Sequence, residues 1–236
     1  MANTNIAKRR AKVMEKMDKL IVIEGLDGSG KATQAALLAE RLNGMGIGAR
    51  PISFPDYNQP TSTLVKMYLN GEFGDHPGDV NPYAASSFYA VDRFASFARD
   101  WSADYEQGKV IVADRYTTSN AVHQMGKLPR EKWQDFIKWL EDYEYGLLKL
   151  PRPDQVLFLD MPLEVSLRLM SGRYHGDESR KDIHERAADY LAGCRECALF
   201  AAGAMGWTTI GCAMDGEPRA IDEIHNEIMN LIMNNG

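Results

Sequence analysis

"IVIEGLDGSGKATQ", residues 21–34, decides how the rest of the chain is taken. Its spacing nearly satisfies G-x-x-x-x-G-K-[ST], with Gly25, Gly30 and Lys31 in place. Ala32 stands where a Ser or Thr hydroxyl usually approaches Mg²⁺, and the first hydroxyl, Thr33, comes one residue late. Three readings are open here: a nucleotide loop that has lost its metal ligand, a chance match, or a variant that handles its metal differently. Context weighs against chance. The run lies between an apolar stretch suited to a buried strand and a stretch with helical spacing, where a phosphate-binding loop must be. Successive backbone N–H groups and a helix N-terminus then face one small volume and bind phosphate oxygens. Glycines let the backbone come that close. Lys31 adds a point charge for β/γ-phosphates. The bland alternative is a Gly-rich turn with an exposed lysine.

Outward from the loop, strand-like and helix-like runs alternate. "KLIVIEG", "ARPISFP", "KVIVADRY", "PDQVLFLDM" and "WTTIGCAM" are short, mostly apolar strand candidates. "KATQAALLAERLNGMG", "TSTLVKMYLNGEFG", "NPYAASSFYAVDRFASFARDWSADYEQG", "PREKWQDFIKWLEDYEYGLL", "PLEVSLRLMSG", "RKDIHERAADYLAGCRECALFAAGAMG" and "EPRAIDEIHNEIMNLIMNN" read as helices. Wholly apolar strands between helices predict a five-stranded parallel sheet covered on both faces, an α/β fold. No repeat or low-complexity tract interrupts the pattern. Residues 1–18 are taken as an N-terminal extension and 19–236 as a single domain.

Composition narrows the partners. The 236 residues are 44% hydrophobic, ample for one α/β core, and carry a formal charge of −6. That argues against a nucleic-acid-coating surface, though a local basic pocket for a small anion remains compatible. No apolar run approaches the ~20 residues of a membrane span, and the basic start "MANTNIAKRR" is followed by no signal-like apolar region. The three cysteines are sparse and odd in number, which suits a reducing cytoplasm. Cys194 and Cys197 form a C-x-x-C inside a helical run, where two small residues on a helix face explain them better than a redox or zinc site.

Further segments carry chemistry. "VIVADRYTTSN" ends a strand with Asp114 and Arg115. Ligands of parallel sheets sit beyond the carboxyl ends of strands, where a carboxylate can hold a metal's water shell and an arginine can fork a phosphate. The alternative is a local surface ion pair. "SSFYAVDRF" sets Tyr89 and Arg93 four apart, on one helix face. A ring beside a guanidinium suits a nucleobase, although core packing plus a surface charge is the commoner meaning. "SGRYHGDESRKD" is a polar loop with Arg173 and Arg180, either a solvated loop or a lid that carries an arginine to a transferring phosphoryl group.

Taken together, "EGLDGSGK", "FPDY", "YAVDR", "DRYTTSNA", "PDQVLFLDMPLEVSLR" and the Arg-bearing lid before "DIHE" resemble the thymidylate kinase family, from about Lys19 to the C-terminus. The resemblance implies a P-loop NTPase three-layer fold with a short lid at about 172–182. It implies ATP with Mg²⁺ as donor, dTMP as acceptor, and a homodimer. It assigns the ATP phosphates to Gly25, Leu26, Asp27, Gly28, Ser29, Gly30, Lys31, Ala32 and Thr33, with Arg173 and Arg180 acting from the lid. The acceptor falls to Asp27, Phe54 (with a cis bond to Pro55 among the family's variants), Tyr89, Arg93, Arg115, Ser119, Asn120 and His123. Tyr89 would stack on the base, Arg93 would reach its 4-carbonyl, and Arg115 would grip the acceptor phosphate. Catalysis would rest on Lys31, Arg115, Arg173, Asp27 and Asp114, with Asp27 and Asp114 in the outer shell of Mg²⁺. The loop interior lacks an arginine, which matches the lid-arginine kind within the family.

Two departures bear on the acceptor. Asp56 and Tyr57 follow "FP" where many members carry a base, and His123 stands where some bacterial members have a tyrosine against the sugar. Two other functions stay open: a kinase for another nucleoside monophosphate or a deoxynucleoside, and a nucleotide-binding regulator with little turnover.

Overall fold

The computed structural model describes residues 18–174, 184 and 188–234. The N-terminal extension through residue 17 and most of the expected lid, Arg180 included, lie outside the described residues.

Five parallel strands form the sheet: β1 (Leu20–Gly25), β2 (Ala49–Ser53), β3 (Val110–Asp114), β4 (Gln155–Asp160) and β5 (Thr208–Gly211). Their spatial order is β2-β3-β1-β4-β5, so β1 lies in the middle, flanked on both sides by other strands. Its burial is complete along its length, as a strand in the middle of a sheet covered on both faces requires. β2 sits at the edge, where Pro51, which lacks an N–H, is tolerated.

Because side chains alternate along each strand, the sheet feeds two cores. Ile21, Ile23, Val112, Leu157 and Leu159 pack against helix α1 (Lys31–Gly44) and the C-terminal helix α9 (Ile221–Asn234). Leu20, Val22, Ile111, Ala113 and Phe158 point the other way. They meet α5 (Thr118–His123), α6 (Trp133–Glu141) and α8 (Ala188–Met205). Between the strands lie α2 (Thr63–Leu69), α3 (Pro82–Ser96), α4 (Ser102–Glu106) and α7 (Leu163–Tyr174).

Four details differ from the sequence expectation. The long helix expected over 81–108 is interrupted by a π-helical turn at Phe97–Trp101, which carries Trp101 fully into the core. The helix expected over 129–148 likewise ends in a π-helical turn at Asp142–Leu147. The last strand segment splits, with Ala213–Met214 pairing antiparallel to Glu217–Pro218 in a separate ribbon. The short helix α5 was not expected, since its polar "TTSN" start hides the pattern. Phe54–Pro55 is cis, as the resemblance implied.

The glycine loop joins β1 to α1. Gly30 caps α1 in the left-handed region at φ 89°, with no side-chain cap, so the first helical N–H groups stay turned to the loop. Gly28 has φ 81°, and a Cβ there would come within 2.7 Å of the Ser166 carbonyl oxygen on α7. Both the conformation and the close backbone approach require glycine. Gly28→Ala should therefore lower stability by at least about 1–2 kcal/mol. The readout is the urea midpoint; an unchanged midpoint would show that the loop relaxes around the methyl group.

Candidate active site

The carboxyl ends of β1 and β3 bring two acid–base pairs together. Asp27 follows β1 and Arg115 follows β3. Arg115 Nη2 donates to Asp27 Oδ1 at 2.6 Å, and Lys31 Nζ lies 3.6 Å from the same oxygen. Lys31 also donates to the Leu26 carbonyl at 2.8 Å. Arg115 has φ 66°, in the left-handed region, which costs a non-glycine residue of the order of 1–3 kcal/mol and clusters at functional sites. The strained backbone aims the guanidinium back across the loop.

Beneath this pair lies Glu24, fully buried at the end of β1. It accepts from Gly25 N–H at 3.0 Å, from Thr118 Oγ1 at 2.8 Å and from Ser119 Oγ at 2.7 Å, and stands 3.6 Å from Arg115. Burial alone would raise the Asp27 pKa, but Arg115 and Lys31 outweigh it and hold the carboxyl well below the usual range. Burial and then Arg115 pull the Lys31 pKa down, against Asp27 and Asp114. Burial works against the Arg115 charge, but Asp27 and Glu24 more than restore it and raise its pKa.

Next to the loop opens a cleft that is partly open to solvent. All eight residues expected at the acceptor site, Asp27, Phe54, Tyr89, Arg93, Arg115, Ser119, Asn120 and His123, line it. Pro55, Tyr57, Leu69, Tyr116, Gln124 and His184 complete the wall.

Three of these residues sit differently from the simple expectation. Arg93 does not extend freely. Its Nε and Nη2 donate to both oxygens of Glu144 at 2.7 and 2.5 Å, and both residues are buried. Nη1 and the second Nη2 proton are left for a ligand. Ser119 turns its hydroxyl to Glu24 rather than into the cleft. His123 does not offer a free nitrogen to a sugar, because its Nε2 takes a hydrogen bond from Arg115 Nη1 at 2.8 Å. An arginine cannot accept, so Nε2 accepts and the neutral ring carries its proton on Nδ1, 3.6 Å from Cys194 Sγ. Burial and then Arg115 push the His123 pKa well down, in agreement.

The remaining predicted residues fall as follows. Gly25, Leu26, Gly28, Ser29 and Gly30 form the loop, and the Ser29 hydroxyl is buried with no partner among the described residues. Ala32 and Thr33 are exposed on the first turn of α1. Asp114 sends Oδ2 toward Ser53 Oγ at 3.4 Å, while its Oδ1 is buried with no hydrogen-bond partner among the described residues. Arg173 lies in the last turn of α7, its side chain outside the described residues. No group of three or more metal-ligating side chains occurs among the described residues.

Sequence reasoning missed Glu24, Gln124, Glu144 and His184. Glu24 had a visible signal, a carboxylate ending an otherwise apolar strand. Glu144 had a fainter one: it continues the buried stripe Trp133, Phe136, Ile137, Leu140 by one more step of four. Gln124 and His184 carried none. Gln124 is fully buried and neither end of its amide has a partner among the described residues.

The comparisons with known proteins give the arrangement its place. The family model for thymidylate kinase matches residues 23–228. This chain belongs to the thymidylate kinase family. A thymidylate kinase of Caenorhabditis elegans is 32% identical over 93% of this chain and 92% of the relative. One from Mycobacterium tuberculosis is 30% identical over 83% and 92%. A solved structure of the thymidylate kinase from Candida albicans superposes with a TM-score of 0.69 at 25% identity, covering 93% and 92% of the two chains. The chain is thus a nucleoside monophosphate kinase, a phosphotransferase on a P-loop fold.

The wall of the cleft has a pH-sensitive member. His184 is buried; its Nε2 lies 2.8 Å from the Tyr68 hydroxyl, and its ring stacks on that of His123. Burial, then Lys127, pushes its pKa down to about 3. Between an ordinary value near 6.5 and that value, the unfolded chain binds a proton that the folded chain refuses. Stability should therefore fall as pH drops below 6.5, by up to about 1.4 kcal/mol per pH unit from this group. His184→Gln should flatten the slope between pH 6.5 and 5 by up to that amount in urea titrations. An equal slope in both proteins would mean that His184 takes up its proton while folded.

Proposed function

We propose that the chain phosphorylates dTMP with ATP, giving dTDP and ADP, by direct in-line transfer of the γ-phosphoryl group. The observation that carries this reading is that one oxygen, Asp27 Oδ1, touches both Lys31 of the glycine loop and Arg115 of the cleft. Donor and acceptor phosphates held by those two cations meet on either side of it. The acceptor oxygen is anionic at neutral pH, so no general base is needed, and the neutral His123 is consistent with that. Catalysis is positioning and charge compensation. The loop N–H groups and Lys31 hold the ATP phosphates, Arg115 turns to the acceptor phosphate, and Tyr89 stacks on the base. Arg173 and Arg180 are assigned to the transferring group on the resemblance alone.

Mg²⁺ bound with ATP neutralises phosphate oxygens. The buried, unpartnered Asp114 Oδ1 fits a role in holding its water shell, whereas Asp27 is already engaged by Arg115. No helix among the described residues is long and apolar enough to cross a membrane. The three buried, free cysteines support a cytoplasmic site of action. Val91 and Phe94 are half-exposed on one face of α3 and support a homodimer built on that helix. Residues 19–236 are taken as one functional unit.

Lys31→Ala should reduce kcat by about 10²-fold or more while dTMP still binds, because only the donor charge is lost. Near-normal ADP release in a coupled assay would remove the loop from the mechanism. Ala32→Ser should leave kcat within about tenfold of the parent, since phosphates, waters and Asp114 hold the metal. A gain of several orders of magnitude would instead identify the parent loop as crippled. Across acceptors, dTMP should exceed dUMP by about 10–200-fold or less, the worth of one methyl group. Turnover without preference among dTMP, UMP and dCMP would favour a broader nucleotide kinase.

A further inference from the structure

The geometry points to Glu144 as the positioning residue that sets the donor–acceptor pattern of the base pocket, so that the cleft selects a 4-keto, N3–H pyrimidine edge. This inference rests on the cleft being the acceptor site. Glu144 is fully buried and projects from the π-helical turn Asp142–Leu147. A wide turn of this kind re-aims side chains and is frequent at functional sites. Its carboxylate holds two side chains that line the cleft. Arg93 donates through Nε to Oε2 at 2.7 Å and through Nη2 to Oε1 at 2.5 Å. Asn120 donates through Nδ2 to Oε1 at 3.1 Å and to the Ser86 carbonyl at 3.3 Å.

The consequences follow from hydrogen-bond inventories. With its Nε edge clamped, Arg93 has only Nη1 and the second Nη2 proton left to present to a ligand, and all of these are donors. With both Nδ2 protons committed to a carboxylate and a carbonyl, the Asn120 amide cannot flip. Its Oδ1 is the one side-chain atom left over, and it is an acceptor. Arg93 and Asn120 line the same cleft and share Glu144 Oε1, and their remaining donor and acceptor suit a 4-carbonyl with its neighbouring N3–H. Cytosine offers an amino group and a bare N3 at those places, so both contacts become mismatched. A buried site that loses its hydrogen bonds rejects the wrong partner strongly. Glu144 touches no base in this arrangement; it acts through Arg93 and Asn120.

Glu144→Gln breaks the pattern with little change of volume. A glutamine amide must turn an NH₂ group toward either the Arg93 Nε edge or the shared Nη2 and Asn120 contacts, and each choice sets donor against donor. The experiment measures kcat/KM for dTMP and dCMP in the parent, Glu144→Gln, Arg93→Met and the double variant, with the KM for ATP as a check on the donor side. Glu144→Gln should lower the dTMP:dCMP ratio by about tenfold or more, through KM for dTMP, with KM for ATP kept. Added to Arg93→Met, it should lower the ratio much less, because one of its two intermediaries is gone. A ratio within about twofold of the parent in Glu144→Gln, while Arg93→Met collapses it, would overturn the role of Glu144 and leave the base reading standing. An unchanged ratio in Arg93→Met would overturn the base reading itself. Should Glu144→Gln not fold, Glu144→Asp keeps the charge and withdraws it by one methylene. It should lower the same ratio, and an unchanged ratio there would overturn the proposal.

Discussion

The ion pair between Asp27 and Arg115 is the constraint around which the site is arranged. One residue follows the central strand and the other follows its neighbour, so parallel pairing of β1 and β3 brings them to the same sheet edge. The Arg115 N–H bonds back to the Ile23 carbonyl at 3.1 Å, which locks its unusual φ to the central strand. Glu24 lies beneath and ties the start of α5 to the same point through Thr118 and Ser119. Removing one partner leaves the other charge without its partner in a half-buried site. Loop, strand ends and α5 are therefore one mechanical unit.

A second layer is built from side chains that secondary-structure patterns would assign to the surface. The two π-helical turns are what place them. One drives Trp101 into the core beside Tyr116, and the other carries Glu144 under the cleft and Tyr145 to a hydrogen bond with Thr117. Asp92 is also buried, and it holds the segment after Pro55 through the Asp56 N–H at 2.9 Å and the Thr61 hydroxyl at 2.6 Å. The cleft is thus lined by groups whose orientations are dictated from behind, which is what preorganised recognition requires.

The side of the cleft nearest α8 is polar but electrically quiet. His123 and His184 stack as neutral rings, and the Tyr190 hydroxyl donates to the His123 carbonyl. Lys127 donates to the Tyr68 hydroxyl at 2.9 Å, and burial brings its pKa down to about 8. Keeping the imidazoles uncharged adds no further cation beside Arg115 and Lys31, which already share Asp27.

The sequence by itself determined the alternation of strands and helices, the glycine loop, the end-of-strand Asp114 and Arg115, and the family. These features are local: a period of two or of 3.6, a glycine where φ is positive, a motif of fixed spacing. Eight of the cleft residues were legible through the family resemblance, and Arg115 also through its place beyond the end of a strand in a parallel sheet. Only the tertiary structure decided the strand order β2-β3-β1-β4-β5, the interruption of two helices, and the partners of the site residues. Arg93 looked like a free arginine until Glu144, 51 residues away, was found on both its nitrogens. His123 looked like a sugar contact until Arg115 and Cys194 were found on its two nitrogens. Such pairings join segments distant in the chain, and the penalty for leaving a buried polar group unsatisfied is settled only once the chain has folded around it.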